Sequence, residues 1–99
     1  MRKVIYSDIV KSKLKSLKDR LIVIQGMKKG TKTIKSIVSM LDSLGEFAEK
    51  GVPIKEKFDV DCPTNWYLIY SNRNYFVYSI TEKQINVLEE KIEKLMVIA

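Results

Sequence analysis

The chain has 99 residues, of which 45% are hydrophobic and 30% charged. This is enough for one globular core but not for two, so we expect a single domain over residues 1–99 and exclude a multidomain enzyme. The formal charge is +6, and it is unevenly spread: residues 1–35 carry eleven basic and two acidic side chains, whereas residues 36–99 carry seven and ten. The first third of the chain therefore carries a strong net positive charge, which suits an acidic partner.

Two missing residue types narrow the chemistry. Cys62 is the only cysteine and there is no histidine, which excludes an internal disulfide, a Cys/His metal set and the usual imidazole-dependent triads. We therefore expect neither a metal nor a cofactor. The longest apolar run, residues 21–24, is too short to cross a bilayer and no signal-peptide pattern precedes it, so the sequence predicts a cytoplasmic protein without membrane contact.

The first half of the chain predicts a strand followed by a helical hairpin. Residues 2–6 alternate as a strand does, and Ser7 and Asp8 supply N-cap oxygens for a helix. Gly26 and Gly30 predict the turn after this helix, and Thr31 or Thr33 would cap a second helix that stops at Gly51. The apolar stripe of the first helix is Val10, Leu14, Leu17, Leu21 and Ile24. The stripe of the second is Ile34, Ile37, Val38, Leu41 and Leu44, extended by Phe47 and Ala48.

The second half predicts a sheet. Residues 66–70 and 75–80 are rich in aromatic and branched side chains and flank a polar turn at residues 71–74, which is typical of a β-hairpin. Residues 81–95 fit either a strand or a helix. Thr81 and Gln84 resemble a capping box, which favours the helix. We favour a third strand to about Glu89 and then a short terminal helix.

Seven lysines on the predicted helices form the clearest functional signal. We call them the basic ridge, and we expect it to bind phosphates or an acidic protein segment. The alternative is a solvated face that only keeps the protein soluble. The members of the basic ridge are Lys11, Lys15, Lys18, Lys28, Lys29, Lys32 and Lys35.

The aromatic strands allow two interpretations. Aromatic side chains near cations can stack on unpaired bases, but more often they form the sheet face under the helices. Alternation places Trp66, Leu68 and Tyr70 on one face and Tyr67 and Ile69 on the other, and only one of these sets can be core if helices cover one side.

Two segments resemble the RelE/ParE superfamily of bacterial toxins from type II toxin–antitoxin modules. One is Val4-Ile5-Tyr6-Ser7 leading into a helix, and the other is the strand of residues 75–80 followed by Ile85-Asn-Val-Leu88. The resemblance covers nearly the whole chain. It implies a metal-independent domain that either cuts mRNA on the ribosome, as RelE-like members do, or poisons DNA gyrase, as ParE-like members do, and that is neutralised by an antitoxin.

The chain departs from the nuclease pattern of this family. The arginine expected three residues before Tyr78 is replaced by Tyr75. After Leu88, where RelE-like nucleases often place an Arg or His and a Tyr, this chain offers Glu89, Glu90, Lys91 and Lys94. If RNA is cut, we expect cations to neutralise the phosphate and Tyr75 to be in reach of a proton. The candidate catalytic residues are then Arg73, Tyr75, Lys55 and Lys57.

The sequence therefore predicts an α+β fold: an N-terminal strand and a helical hairpin packed on an antiparallel sheet of three to four strands. For function it favours a toxin that binds DNA gyrase over one that cleaves ribosome-bound mRNA, with an acidic antitoxin as partner. Two alternatives stay open: a non-catalytic nucleic-acid-binding or adaptor domain that uses the basic ridge, and a degenerate toxin that keeps only the fold.

Overall fold

A computed structural model describes residues 1–92, the last two by their backbone alone, and confirms the predicted α+β fold. Five strands form one sheet in the order β1-β5-β4-β3-β2. The strands are β1 (Lys3–Tyr6), β2 (Val52–Pro53), β3 (Trp66–Ser71), β4 (Asn74–Ile80) and β5 (Gln84–Ile92). The helices are α1 (Asp8–Gln25), α2 (Met27–Asp42) and the short α3 (Ile54–Phe58). No helix within residues 1–92 combines the length and the apolarity that a membrane crossing requires.

The sheet is larger and more mixed than the sequence predicts. Strands β3, β4 and β5 are antiparallel as expected, and β1 joins the sheet as expected, but it pairs with β5 in parallel. The two-residue strand β2 adds a fifth member opposite Leu68 and Tyr67. It was not predicted because two residues are too few to show an alternating pattern. Strand β5 runs to Ile92 rather than Glu89, and the predicted terminal helix falls outside the described residues.

The core lies between the helical hairpin and one face of the sheet. Val10 and Leu17 of α1 and Ile37 and Leu41 of α2 are buried there. The sheet contributes Ile69, Phe76, Tyr78, Ile85 and Val87. The register places Tyr67 and Ile69 opposite Tyr78 and Phe76, so this set of β3 side chains faces the core while Trp66, Leu68 and Tyr70 take the other face.

The predicted turn between the helices is wrong at Gly30. Gly26 alone makes the turn, with a φ of 91°, and α2 begins at the next residue. Gly30 is buried inside α2, where an added Cβ would lie 2.8 Å from the backbone nitrogen of Ile22 in α1. Thr33 does not cap the helix: its hydroxyl donates to the carbonyl of Lys29 and lies 2.9 Å from the side-chain oxygen of Gln25. Glycine thus serves two distinct purposes here, a left-handed turn at residue 26 and close helix packing at residue 30.

The predicted apolar stripes are confirmed at Leu44 and Ala48, which are buried in the core, but not at their other outlying members. Ile24 and Phe47 are 71% and 57% exposed, so neither belongs to the core. Helix α2 stops at Asp42, and two short 3₁₀ turns, Ser43–Gly45 and Ala48–Lys50, carry the chain to β2. The hairpin therefore spans residues 8–42 rather than 8–50. The residues that follow connect it to β2, which lies at the edge of the sheet.

We expect Gly30→Ala to destabilise the domain by about 1–3 kcal/mol, because the new methyl group must push the two helices apart. The cost of pushing the helices apart exceeds the gain of about 1 kcal/mol that alanine normally brings to a helix interior. Urea unfolding measures the change, with Ser36→Ala on the exposed side of α2 as the control. A more stable Gly30→Ala variant would contradict the close packing described above.

Candidate partner-binding surface

The structure places all seven members of the basic ridge on exposed positions of α1 and α2. On α1, Lys11, Lys15 and Lys18 fall within about 60° of one another around the helix axis, because successive residues turn by about 100°. Lys28 and Lys29 belong to the first turn of α2 rather than to the connecting turn as predicted. No acidic residue occurs between Arg20 and Leu41, so the distal part of the hairpin is purely cationic.

Lys13 has a different environment from the ridge. Its ammonium group lies 2.7 Å from a carboxylate oxygen of Glu89 and donates to the backbone carbonyl of Glu90 at 2.9 Å. It therefore ties α1 to the end of β5, where β1 no longer covers the strand. Successive residues turn by about 100° around the helix axis, so Lys13 lies on the opposite side of α1 from Lys11, Lys15 and Lys18, and its contacts show that this side faces the sheet.

A β-bulge turns Glu90 towards the helices. Tyr78 pairs with Val87 and Val77 with Glu89, so Leu88 is the extra residue, and Glu90 lies opposite the buried Phe76. Glu90 is only 6% exposed, and its Oε2 has no hydrogen-bond partner within residues 1–92. Burial raises the pKa of this carboxyl, while the nearby Lys13 and Arg20 oppose the rise. The alternation of the sequence breaks here, at Val87-Leu88 and Glu89-Glu90, but such a break does not distinguish a bulge from the end of a strand.

Tyr78 is a structural residue. It is fully buried, its hydroxyl donates to the carbonyl of Ala48 at 2.7 Å, and it accepts from the backbone N–H of Gly51 at 3.0 Å. Burial raises the pKa of Tyr78 to about 12. The strand that carries the family resemblance thus uses this tyrosine to fix the segment before β2, with the Tyr67 ring stacked beside it at a centroid distance of 5.6 Å.

Tyr6 plays a similar role at the other edge of the sheet. Its hydroxyl donates to the carboxylate of Asp42 at the end of α2. Burial, followed by the hydrogen bond to Asp42 and the charge of Asp42, raises the pKa of Tyr6. This contact joins β1 to the helical hairpin.

The four candidate catalytic residues divide between two ends of the sheet. Arg73 is exposed in the turn between β3 and β4, with a φ of 68°, and Tyr75 is half-buried beside Tyr70. Lys55 and Lys57 are exposed on α3. Pro53, just before α3, pairs with Tyr67, whereas the turn follows Ser71. Along β3, the partner of Pro53 lies three residues from the partner of Tyr75 and four from Ser71 at the turn, which is about 10–14 Å at the usual rise of a strand.

An open depression of about 520 Å³ lies beside the 3₁₀ turn that precedes β2. Phe47, Glu49 and Lys50 line it, and Phe47 is the residue that sequence analysis assigned to the core. No group of three or more His, Cys, Asp and Glu side chains in the described part of the chain could hold a metal ion.

Comparison with known proteins identifies the fold. A solved structure described as a chromosomal ParDE TA system from P. aeruginosa contains a chain that is 17% identical to this one, with a TM-score of 0.74. The match covers 93% of this chain and 96% of the other. No protein-family model matches the sequence, and no curated protein matches it either. The likeness confirms the predicted fold.

We expect Tyr78→Phe to lower the free energy of unfolding by about 1–3 kcal/mol, because it leaves the Gly51 N–H and the Ala48 carbonyl without their partner. Tyr67→Phe keeps the stacked ring and is the matched control. Because its pKa is raised, the Tyr78 hydroxyl ionises less readily in the folded state than in the unfolded chain. The stability that this hydroxyl contributes is therefore present below pH 10.0 and is lost as the pH rises towards about 12. Equal stability of Tyr78→Phe and the parent chain would contradict the role assigned to the hydroxyl.

We expect Glu90→Gln to stabilise the domain at pH 7 by about 1 kcal/mol, because a buried carboxylate is replaced by a neutral group of the same shape. The carboxyl pKa is raised in the folded state, so the parent chain gains stability as the pH falls, and the two proteins converge near pH 4. Urea unfolding at both pH values measures this. As the control, Glu89→Gln removes the charged partner of Lys13 and should not raise the free energy of unfolding. A Glu90→Gln variant that is less stable than the parent chain at pH 7 would contradict the cost assigned to the buried carboxylate.

Proposed function

We propose that this chain is the toxin of a type II toxin–antitoxin pair, which acts by binding DNA gyrase and is neutralised by an acidic antitoxin. The observation that carries the proposal is the exposed basic ridge on a helical hairpin, within a fold like that of the P. aeruginosa ParDE chain.

Binding is favoured over RNA cleavage because the candidate catalytic groups do not converge. General acid–base catalysis needs its groups within hydrogen-bond reach of one substrate. Arg73 and Tyr75 lie at one end of β3, and Lys55 and Lys57 lie beyond the other. The family tyrosine Tyr78 is fully buried and hydrogen-bonded, which removes it from contact with a nucleotide. These features support the gyrase arm of the family.

The antitoxin should meet the α1 part of the basic ridge with carboxylates. Antitoxin segments of this kind are disordered alone, and binding then orders them on a complementary surface. Lys11, Lys15 and Lys18 lie together on α1 and are exposed, so an acidic segment along α1 would contact all three. Electrostatic complementarity of this sort accelerates association and selects the partner.

The target is tested with purified components. The chain should block DNA supercoiling by reconstituted gyrase and should leave mRNA on programmed ribosomes intact. Cleavage of that mRNA, lost on Arg73→Ala, would instead establish the nuclease. Expression should arrest growth, and co-expression of a small acidic protein from the neighbouring reading frame should restore it. Steep loss of DNA or RNA binding with salt, without growth arrest, would favour the nucleic-acid-binding alternative.

We expect Lys11→Glu, Lys15→Glu and Lys18→Glu together to weaken antitoxin binding by about 100-fold, because each exposed charge reversal replaces attraction with repulsion. Calorimetric titration measures the affinity, and unfolding should be nearly unchanged because all three side chains are exposed. The matched control reverses the exposed Lys3, Lys50 and Lys83 off the ridge. An unchanged affinity of the ridge variant would remove the ridge from the account.

A further inference from the structure

The end of the helical hairpin exposes apolar side chains that the fold does not use. Val23, Ile24 and Met27 are 84%, 71% and 69% exposed, and from Ile22 to Lys29 no residue is buried. Ile24 fits the periodicity of the core stripe and yet faces solvent. We call residues 22–29 the hairpin tip. Several exposed aliphatic side chains within a few residues of one turn are typical of a contact surface.

The hairpin tip is held in a fixed shape. Gly26 makes the turn alone, and the amide of Gly30 donates to its carbonyl at 2.9 Å. One turn further on, Gly30 packs directly on the backbone of α1, and the side chains of Thr33 and Gln25 are hydrogen-bonded across the hairpin. A tip braced in this way loses little conformational freedom when it binds, so more of its contact energy appears as affinity.

The charge around the hairpin tip selects among the possible occupants. Residues 20–41 contain five basic and no acidic side chains, so two copies of the tip would repel each other. The tip is a tight turn between two helices, whereas the antitoxin is assigned to the face of α1. The tip also lacks the aromatic side chains that favour the membrane interface. These features fit a concave acidic surface on a folded protein.

We propose that the hairpin tip is the element with which this chain recognises its target, and that it inserts Ile24 and Met27 into an apolar pocket with an acidic rim on that protein. The inference rests on the proposed function, since it assumes that a target exists. Lys28 and Lys29 meet the acidic rim, and the two aliphatic side chains supply the desolvated contact. The antitoxin and the target then use different parts of the same hairpin.

The test compares two variants of the hairpin tip with a matched control. Ile24→Ser with Met27→Ser removes the apolar contact, and Lys28→Glu with Lys29→Glu reverses the charge. Ile9→Ser is the control, because Ile9 is also exposed, at 56%, but lies at the other end of α1. All these side chains are exposed, so the melting temperatures should agree with that of the parent chain. Growth arrest and the kinetics of binding to reconstituted DNA gyrase are then measured for each.

The apolar variant should bind about 100-fold more weakly through faster dissociation, and it should no longer arrest growth. The charge variant should associate more slowly and lose its dependence on salt. The apolar variant should keep the antitoxin affinity of the parent chain, and Ile9→Ser should resemble the parent in every assay. If ribosomes rather than gyrase bind the parent chain, the same effects should appear with ribosomes.

Two results separate failure of this inference from failure of the proposed function. If the parent chain arrests growth and the variants of the hairpin tip arrest it equally, the inference is wrong and the toxin function stands. If the parent chain neither arrests growth nor binds gyrase or ribosomes, both are wrong. Flotation with vesicles of 70% phosphatidylcholine and 30% phosphatidylglycerol should show no binding. Binding that Ile24→Ser with Met27→Ser abolishes would reassign the tip to a membrane.

Discussion

The contact of Gly30 with the backbone of α1 sets the geometry on which the remaining features depend. It brings the two helices close enough to bury Leu17 and Ile37 against one face of the sheet, and it leaves the lysines of both helices outside. Since β-carbon atoms cannot approach a neighbouring backbone at 2.8 Å, no other residue allows this spacing. The placement of the basic ridge is thus a consequence of helix packing.

Polar contacts fasten this hairpin and the chain around it to the sheet at three places. Tyr6 joins β1 to the end of α2, Lys13 joins α1 to the end of β5, and Tyr78 holds the segment before β2. Two of these use tyrosine hydroxyls whose burial raises their pKa, and the third lies beside the buried Glu90. The sheet is therefore a scaffold that carries the hairpin, and the exposed chemistry is concentrated on the hairpin itself.

The sequence predicted what depends on local pattern and missed what depends on packing. Alternation and helical spacing located β1, α1, β3 and β4, and the segmental charge located the basic ridge. By contrast, the sequence predicts a turn at Gly30, because glycine in a helix is justified only by the neighbouring helix, which a sequence does not display. Glu90 faces the core because of a bulge, and Ile24 is exposed although it continues the apolar stripe of α1. The sequence groups Lys55 and Lys57 with Arg73 and Tyr75. The strand register, which only the structure supplies, separates the two pairs.

Lysine footprinting tests the central claim, that the exposed cations of the hairpin meet an acidic protein. The free chain and its complex with the acidic protein from the neighbouring reading frame are acetylated briefly, and mass spectrometry gives the modification rate of each lysine. The account predicts protection of Lys11, Lys15 and Lys18 in the complex, with unchanged rates at Lys3, Lys50 and Lys83. Protection confined to the second set, with the ridge modified as in the free chain, would contradict it.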